Sequence, residues 1–272
     1  MTDSASPASG ERQQSCRKYG NPPYTIAVVH GGPGAAGEVA PVARELAALA
    51  GVLEPLQRGH SVQGQVRELA RAINAHGTIP LILVGHSWGA WLSVLCAADY
   101  PALVRKLILV SSGSFDARYT GELEQTRMRR LARSEQGELE RLTEQLEGPS
   151  TEEARRAFGR LGRILEKVDA YDPLPAAEGS EEASYGIFRD VWREGAELRR
   201  SGELLARAGT VMCPVVAIHG DFDPHPAEGV RIPLSRALPD FRLILLERCG
   251  HKPWIERQAS EAFFARLKAE LI

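Results

Sequence analysis

The stretch LILVGHSWG, Leu81 to Gly89, runs without a break into Ala90-Trp91-Leu92-Ser93-Val94-Leu95-Cys96. Its apolar start has the length and composition of a buried strand, and its continuation has the spacing of a helix. Between them, Gly85-His86-Ser87-Trp88-Gly89 predicts a sharp turn with one hydroxyl at its apex. Glycine suits positions 85 and 89, because in a turn this tight a Cβ two residues either side of Ser87 would clash. Such a turn lifts the Ser87 hydroxyl above the sheet. It also aims the first N–H groups of the following helix, at the positive end of its dipole, at any charge forming there.

Working outward, Tyr24 to His30 (YTIAVVH) predicts a short buried strand that ends in His30-Gly31-Gly32-Pro33-Gly34. Three glycines leave backbone N–H groups bare and Pro33 stiffens the path, so this loop is suited to donating N–H groups to an anion. Helical spacing follows over Val39–Ala50 and Val66–Ala75, with an extended piece over Val52–Leu56 and a loop over Gln57–Gln65. Lys106 to Ser111 predicts the strand after the Ser87 turn. Nearly continuous apolar strands alternating with helices are the signature of a parallel sheet covered on both faces.

From Phe115 to about Gly209 the chain is rich in Glu and Arg, with helical spacing over Gly121–Glu147, Thr151–Val168 and Glu181–Ala208. Ser150 and Glu153 have the spacing of a capping box for the middle helix. Tyr171, Tyr185, Phe188 and Trp192 are candidate pocket walls, weighed against internal packing. Strands resume at Pro214–His219 and Phe241–Glu247, before a closing helix over Ile255–Leu271. The expected architecture is therefore α/β: a mostly parallel sheet flanked by helices over 21–114 and 210–272. A helical cap is expected over 115–209 and a flexible polar tail over 1–20.

Each late strand ends in a polar cluster, Gly220-Asp221-Phe222-Asp223-Pro224-His225-Pro226 after the first and Arg248-Cys249-Gly250-His251-Lys252-Pro253-Trp254 after the second. Loops at the carboxyl ends of parallel strands share one rim, so Ser87, an aspartate and a histidine are expected to meet there. A serine hydroxyl becomes a nucleophile when a base takes its proton, and imidazole is suited to this near neutral pH. His251 is the expected base. Asp223 and Asp221 compete for the acid that orients it; Asp223 is favoured because the first residues after a strand form the turn, with Asp116 as an outside alternative. His30 and His219 end strands and are expected to bond backbone, His86 to point away from the nucleophile, and His225 to line the pocket.

HGGPG at 30–34, GHSWG at 85–89, HGDFDPHP at 219–226 and GHKPWIE at 250–256 resemble the α/β-hydrolase superfamily, and the HGGPG loop with Ser-Trp-Gly resembles its prolyl aminopeptidase branch. The resemblance implies Ser87 as nucleophile, Asp223 and His251 completing a catalytic triad, and backbone N–H groups of Gly32 and Trp88 as oxyanion donors. Leu56-Gln57-Arg58-Gly59-His60-Ser61 keeps only the middle of that branch's Asp-Gln-Arg-Gly-x-Gly-x-Ser segment, and Ala90 stands where a second glycine often follows. The expected activity is cleavage of an ester, amide or related acyl bond of a small molecule. A proline-type aminopeptidase and a ligand-binding sensor with little turnover are the alternatives.

Composition narrows the remaining classes. A net charge of -2 argues against a nucleic-acid footprint and against a polybasic membrane face. No apolar run approaches a bilayer span, and the polar start lacks the apolar core of a secretory signal. Four cysteines without C-x-x-C spacing fit reduced thiols in a cytoplasmic protein. The histidines lack the spacing of a metalloprotease site, so no metal and no cofactor are expected. A monomer or a homodimer is expected.

Overall fold

The computed structural model describes residues 15–148, 151–175 and 183–272. Seven strands form one sheet: β1 (Cys16–Tyr19), β2 (Tyr24–Val29), β3 (Gly51–Pro55), β4 (Leu81–His86), β5 (Val104–Val110), β6 (Val215–Gly220) and β7 (Phe241–Leu246). Their order is β1-β3-β2-β4-β5-β6-β7, and every pairing except β1 with β3 is parallel. The sheet is thus mostly parallel and flanked by helices, as the alternating pattern implies.

Alternate residues of each strand feed two cores, because successive side chains leave opposite faces. Leu81, Leu83, Leu107 and Leu109 pack on one side beneath α2 (Val62–His76) and α3 (Trp88–Asp99). Ile82, Val84, Ile108 and Val110 pack on the other beneath α1 (Ala40–Leu46) and the last helix. Both faces are covered, which is why the central strands read as unbroken apolar runs. α2 starts at Ser61, whose hydroxyl accepts the Gly64 N–H at 3.1 Å.

Between β5 and β6 lie α4 (Thr120–Arg130), α5 (Arg133–Glu147), α6 (Glu152–Val168), α7 (Tyr185–Arg200) and α8 (Glu203–Ala208). The single helix expected over Gly121–Glu147 is two: Leu131 turns extended and is buried, which breaks the helix axis there. The one expected over Glu181–Ala208 is also two, separated at Gly202, whose φ of +82° is left-handed. Residues 181–182 lie outside the described residues. So does Ser150; α6 is capped instead by Thr151, whose side chain accepts the Ala154 N–H at 3.2 Å.

Three further differences have local causes. The expected tail of 1–20 is structured from Cys16, because Cys16–Tyr19 pairs antiparallel along the edge of β3; residues 1–14 lie outside the described residues. A four-residue polar edge strand leaves little periodic signal. α9 (Glu228–Ala237) follows β6 despite Pro233, a residue that argues against helix, since Val230 and Leu234 share a buried face four residues apart. The closing helix α10 (Ser260–Ala269) is shorter than the expected Ile255–Leu271, being preceded by a 3-10 turn over Pro253–Ile255. Among the described residues, no helix is long and apolar enough to cross a membrane.

Candidate active site

The chain leaves β2 toward one side of the sheet and β4 toward the other, so the crevice between their carboxyl ends is the switch point where α/β sheets bind ligands. Val29 pairs with Gly85, His86 with Val110, and Gly220 with Leu246, which places the loops after β2, β4, β6 and β7 on one rim. Ser87 sits at the apex of the β4–α3 turn with φ 51° and ψ −114°, a backbone state that a non-glycine residue rarely adopts. The turn is held by close backbone approach. A Cβ on Gly85 would collide with the Gly89 carbonyl, and one on Gly89 with the carbonyls of Val29 and His30. Strain at Ser87 therefore follows from packing that only glycine permits on either side.

Above that turn, His251 Nε2 lies 3.0 Å from Ser87 Oγ, and His251 Nδ1 lies 2.8 Å from Asp223 Oδ2. Asp223 is buried, and its Oδ1 accepts the backbone N–H of His225 at 2.9 Å, with His225 Nδ1 also at 2.9 Å. Burial alone would raise its carboxyl. The facing imidazoles of His251, His225 and His219, with the His225 hydrogen bond, outweigh that and hold it well below the usual carboxylate range. The His225 and His251 rings stack with centroids 4.5 Å apart.

The competing acids are elsewhere. Asp221 Oδ1 accepts the Cys249 N–H at 3.2 Å and so shapes the His251 loop from outside. Asp116 caps its own turn through the Arg118 N–H. His30 Nδ1 contacts the Gly31 carbonyl at 2.8 Å, and His219 Nε2 contacts the His225 carbonyl at 2.8 Å, so both bond backbone. Gly32 lies beside Ser87 in the wall of the cavity described below. Trp88 opens α3, where a helix N–H has no acceptor within the helix. Its indole N–H donates to Gln65 at 2.9 Å, which fixes the start of α3 against α2.

A cavity of about 220 Å³ opens on Ser87 and His251. Its far wall comes from α6 and the residues just after it: Gly162, Leu165, Glu166, Asp169 and Ala170. Aromatics from the helical segment do not wall it. Tyr185, Phe188 and Trp192 belong instead to a packed column in which Trp192 stacks on Trp91 of α3 at 5.9 Å and 2°, Phe188 stacks on Trp192, and Phe158 touches Phe188 and Tyr185. Tyr171 meets Phe222 edge-on. A second cavity, of about 420 Å³, lies at the opposite, amino ends of the strands near Thr25 and Arg105 and is lined by no serine, cysteine or histidine.

Two acids that brace the site loops, buried Glu256 and partly buried Glu38, have no counterpart in the sequence reading. Glu256 Oε1 accepts the N–H groups of Gly250 at 2.9 Å and Tyr171 at 2.8 Å, and its Oε2 accepts that of Asp172 at 2.8 Å. It ties the end of α6 to the His251 loop, where His251 N–H also donates to the Asp169 carbonyl at 2.9 Å. Glu38 joins Gly31, His86 and Lys252. Contacts separated by tens of residues leave no local pattern to find. Among the described residues, Asp223, His225 and His251 are a set of donor atoms close enough to hold a metal ion, all within 4.8 Å. Their atoms are already hydrogen-bonded to one another, an arrangement a metal would have to break.

No curated protein matches this chain. Among solved structures, that of VinJ superimposes with a TM-score of 0.68 at 21% identity, covering 94% of this chain and 93% of that one. A putative lipase from Acinetobacter baumannii AYE gives 0.62 at 17%, covering 94% and 86%. Est816, described as an N-acyl homoserine lactone degrading enzyme, gives 0.62 at 15%, covering 94% and 96%. At these identities the likeness is one of fold. The model of the alpha/beta hydrolase family matches residues 26–266, from β2 to within α10, and so takes in every strand of the parallel sheet and the whole rim on which Ser87 and His251 meet. The chain belongs to the alpha/beta hydrolase family.

Proposed function

We propose that this protein is a serine hydrolase that cleaves an ester, amide or related acyl bond of a small molecule through an acyl-enzyme on Ser87. The observation that carries the reading is the continuous path Ser87 Oγ to His251 Nε2 at 3.0 Å and His251 Nδ1 to Asp223 at 2.8 Å. Asp223 accepts the Nδ1–H, which leaves Nε2 with a lone pair toward the hydroxyl. As Oγ bonds to the acyl carbon, its proton passes to Nε2 and the carbonyl electrons move to oxygen. That oxyanion is met by the N–H groups of Trp88 and Gly32. The bond to the leaving group then breaks, the leaving group takes the proton from Nε2, and water repeats the cycle to release the acid.

A cavity of about 220 Å³ falls below the volume of ~300 Å³ or more typical of sites for drug-sized ligands, so a small acyl group is the fitting occupant. The helical segment acts as a cap, its α6 side forming the wall opposite Ser87. The test is labelling of the full chain with a fluorophosphonate, read by peptide mass spectrometry. One adduct on Ser87, absent in Ser87→Ala, is the expected result, and no adduct on folded wild type overturns the reading. Asp223→Asn is expected to slow labelling far more than Asp221→Asn. A panel of p-nitrophenyl esters against peptides with N-terminal proline then distinguishes an esterase from a proline-type aminopeptidase.

A further inference from the structure

Glu38, in the turn between β2 and α1, touches three of the four loops that build the site, those after β2, β4 and β7. Its Oε2 accepts the Gly31 N–H at 2.8 Å and lies 3.1 Å from His86 Nδ1, while its Oε1 lies 3.2 Å from Lys252 Nζ. Across the His86 ring, Nε2 lies 3.0 Å from the carbonyl oxygen of His251. Carbonyl and ionised carboxylate oxygens only accept, and a neutral imidazole carries one N–H. Both His86 contacts are hydrogen bonds at the same time only when both ring nitrogens carry a proton.

Glu38 is not the source of the missing proton. Its Oε2 already accepts the Gly31 N–H and its Oε1 faces the Lys252 ammonium at 3.2 Å, contacts that favour the ionised carboxylate. We propose that His86 is held as an imidazolium paired with Glu38, and that this pair is a positioning unit fixing the His251 main chain and the Gly31 loop relative to Ser87. The proposal rests on the reading of Ser87 and His251 as nucleophile and base.

The surroundings explain why a pair is needed rather than a lone cation. The His251 ring lies 5.0 Å from the His86 ring, centroid to centroid, and His251 becomes cationic as it takes the serine proton. An unbalanced charge at His86 would oppose that step; Glu38 offsets it from the other side. The remaining charged or titratable groups nearby are Lys252, on Glu38 and on Glu166 of α6 at 2.7 Å, and buried His30, bonded to the Gly31 carbonyl. The edge contact from Trp254, at 4.7 Å between centroids, adds no charge.

The experiment is a long-range nitrogen–proton NMR spectrum of the histidine rings in the full chain at pH 8, where a free imidazole of pKa about 6.5 is neutral. At least one of the seven histidines is expected to keep the pattern of two protonated nitrogens, and that pattern is expected to vanish in Glu38→Gln. No imidazolium in the wild type at pH 8, or one that persists in Glu38→Gln, overturns the proposal. In the same variant the fluorophosphonate rate is expected to fall about tenfold, the size of one charge-assisted hydrogen bond. The KM for a p-nitrophenyl ester is expected to hold. A fall in melting temperature with wild-type labelling also overturns it. Absence of labelling in the wild type strikes the hydrolase reading alone, because the NMR spectrum decides the ion pair without turnover.

Discussion

The two halves of the helical segment are attached to the sheet by different physics. α7 and α8 are held by apolar packing: Val191, Leu204 and Ala208 are buried in the core beneath α3, and Trp192 stacks on Trp91. α6 and the chain just after it are held by polar contacts to the site loops. These are Lys252 to Glu166, the Asp169 carbonyl to His251 N–H, and Glu256 to Tyr171 and Asp172; Arg127 braces Asp169 from α4 at 2.5 Å. Apolar burial is non-directional and fixes that a helix stays. Hydrogen bonds to charged groups are directional and fix where each atom lies. α7 and α8 also make charged contacts, Glu194 to the Val62 N–H and Arg207 to Asp99, but on α2 and α3; the half whose directional contacts reach the His251 loop is the one that walls the cavity.

The largest effect is expected from the apolar half. Trp192→Ala removes the ring joining Trp91 to Phe188 and is expected to cost about 3 kcal/mol, the lower end for truncating a tryptophan because this ring is only partly buried. Urea unfolding measures it. The fluorophosphonate rate of the variant, at a temperature where it is folded, is expected to stay within about twofold of wild type. A large fall in rate would mean that the column also sets the geometry at Ser87.

Glu256→Ala reverses that balance. One buried N–H, of Gly250, and two part-buried ones, of Tyr171 and Asp172, lose their acceptor, a loss of about 2 kcal/mol. Two of the three flank the site, so labelling is expected to slow more than tenfold. Glu256→Gln keeps one acceptor oxygen and is expected to recover part of both losses. Equal stability loss without slower labelling would show that this carboxylate holds the chain together and nothing more.

Acid is expected to act on the polar side first. Glu38 and Asp223 are held below the usual range in the folded protein, so their folded-state values lie below their unfolded ones. Such groups stabilise fully above the unfolded value of about 4 and lose that contribution as pH falls through the folded value. Below pH about 4, hydrogen exchange is expected to rise in the loops after β2 and β7 before it rises in α7. The step should flatten in Glu38→Gln. Simultaneous exchange in all three would show that both halves unfold together.

Legibility in the sequence follows the range over which each feature is determined. The Ser87 turn is visible because its cause is local: two glycines, each two residues from a serine, where any Cβ collides with backbone. Asp223 and His251 are findable because parallel strands put their carboxyl ends on one rim, so loop position stands in for distance. Tyr185, Phe188 and Trp192 are visible as one face of a helix, but the sequence leaves open which way that face turns. The structure packs it onto Trp91 and gives the cavity wall to Gly162, Leu165 and Glu166 of α6. Glu38 and Glu256 were hidden for the opposite reason. Each is one acid among 35 Asp and Glu residues, and what sets it apart is partners from distant loops: the His86 and Lys252 side chains for Glu38, the N–H groups of Tyr171 and Asp172 for Glu256.

The smallest effect on stability is expected from Glu166→Gln. Glu166 is about half exposed and pairs with Lys252 at 2.7 Å, and pairs of this kind contribute less than about 1 kcal/mol. Its effect on access can still be larger, because the pair spans the cavity from α6 to the residue after His251. An ion pair near solvent weakens as salt shortens the screening length to about 3 Å at 1 M. If the pair restrains α6, wild-type labelling is expected to quicken with salt, whereas Glu166→Gln starts at the faster rate and shows no salt dependence. Equal rates and equal salt dependence in the two proteins would assign the wall's position to the buried contacts alone, the Asp169 carbonyl on His251 and Glu256 on Tyr171 and Asp172. The polar half would then be as permanently seated as the apolar one, held by directional bonds that salt does not reach.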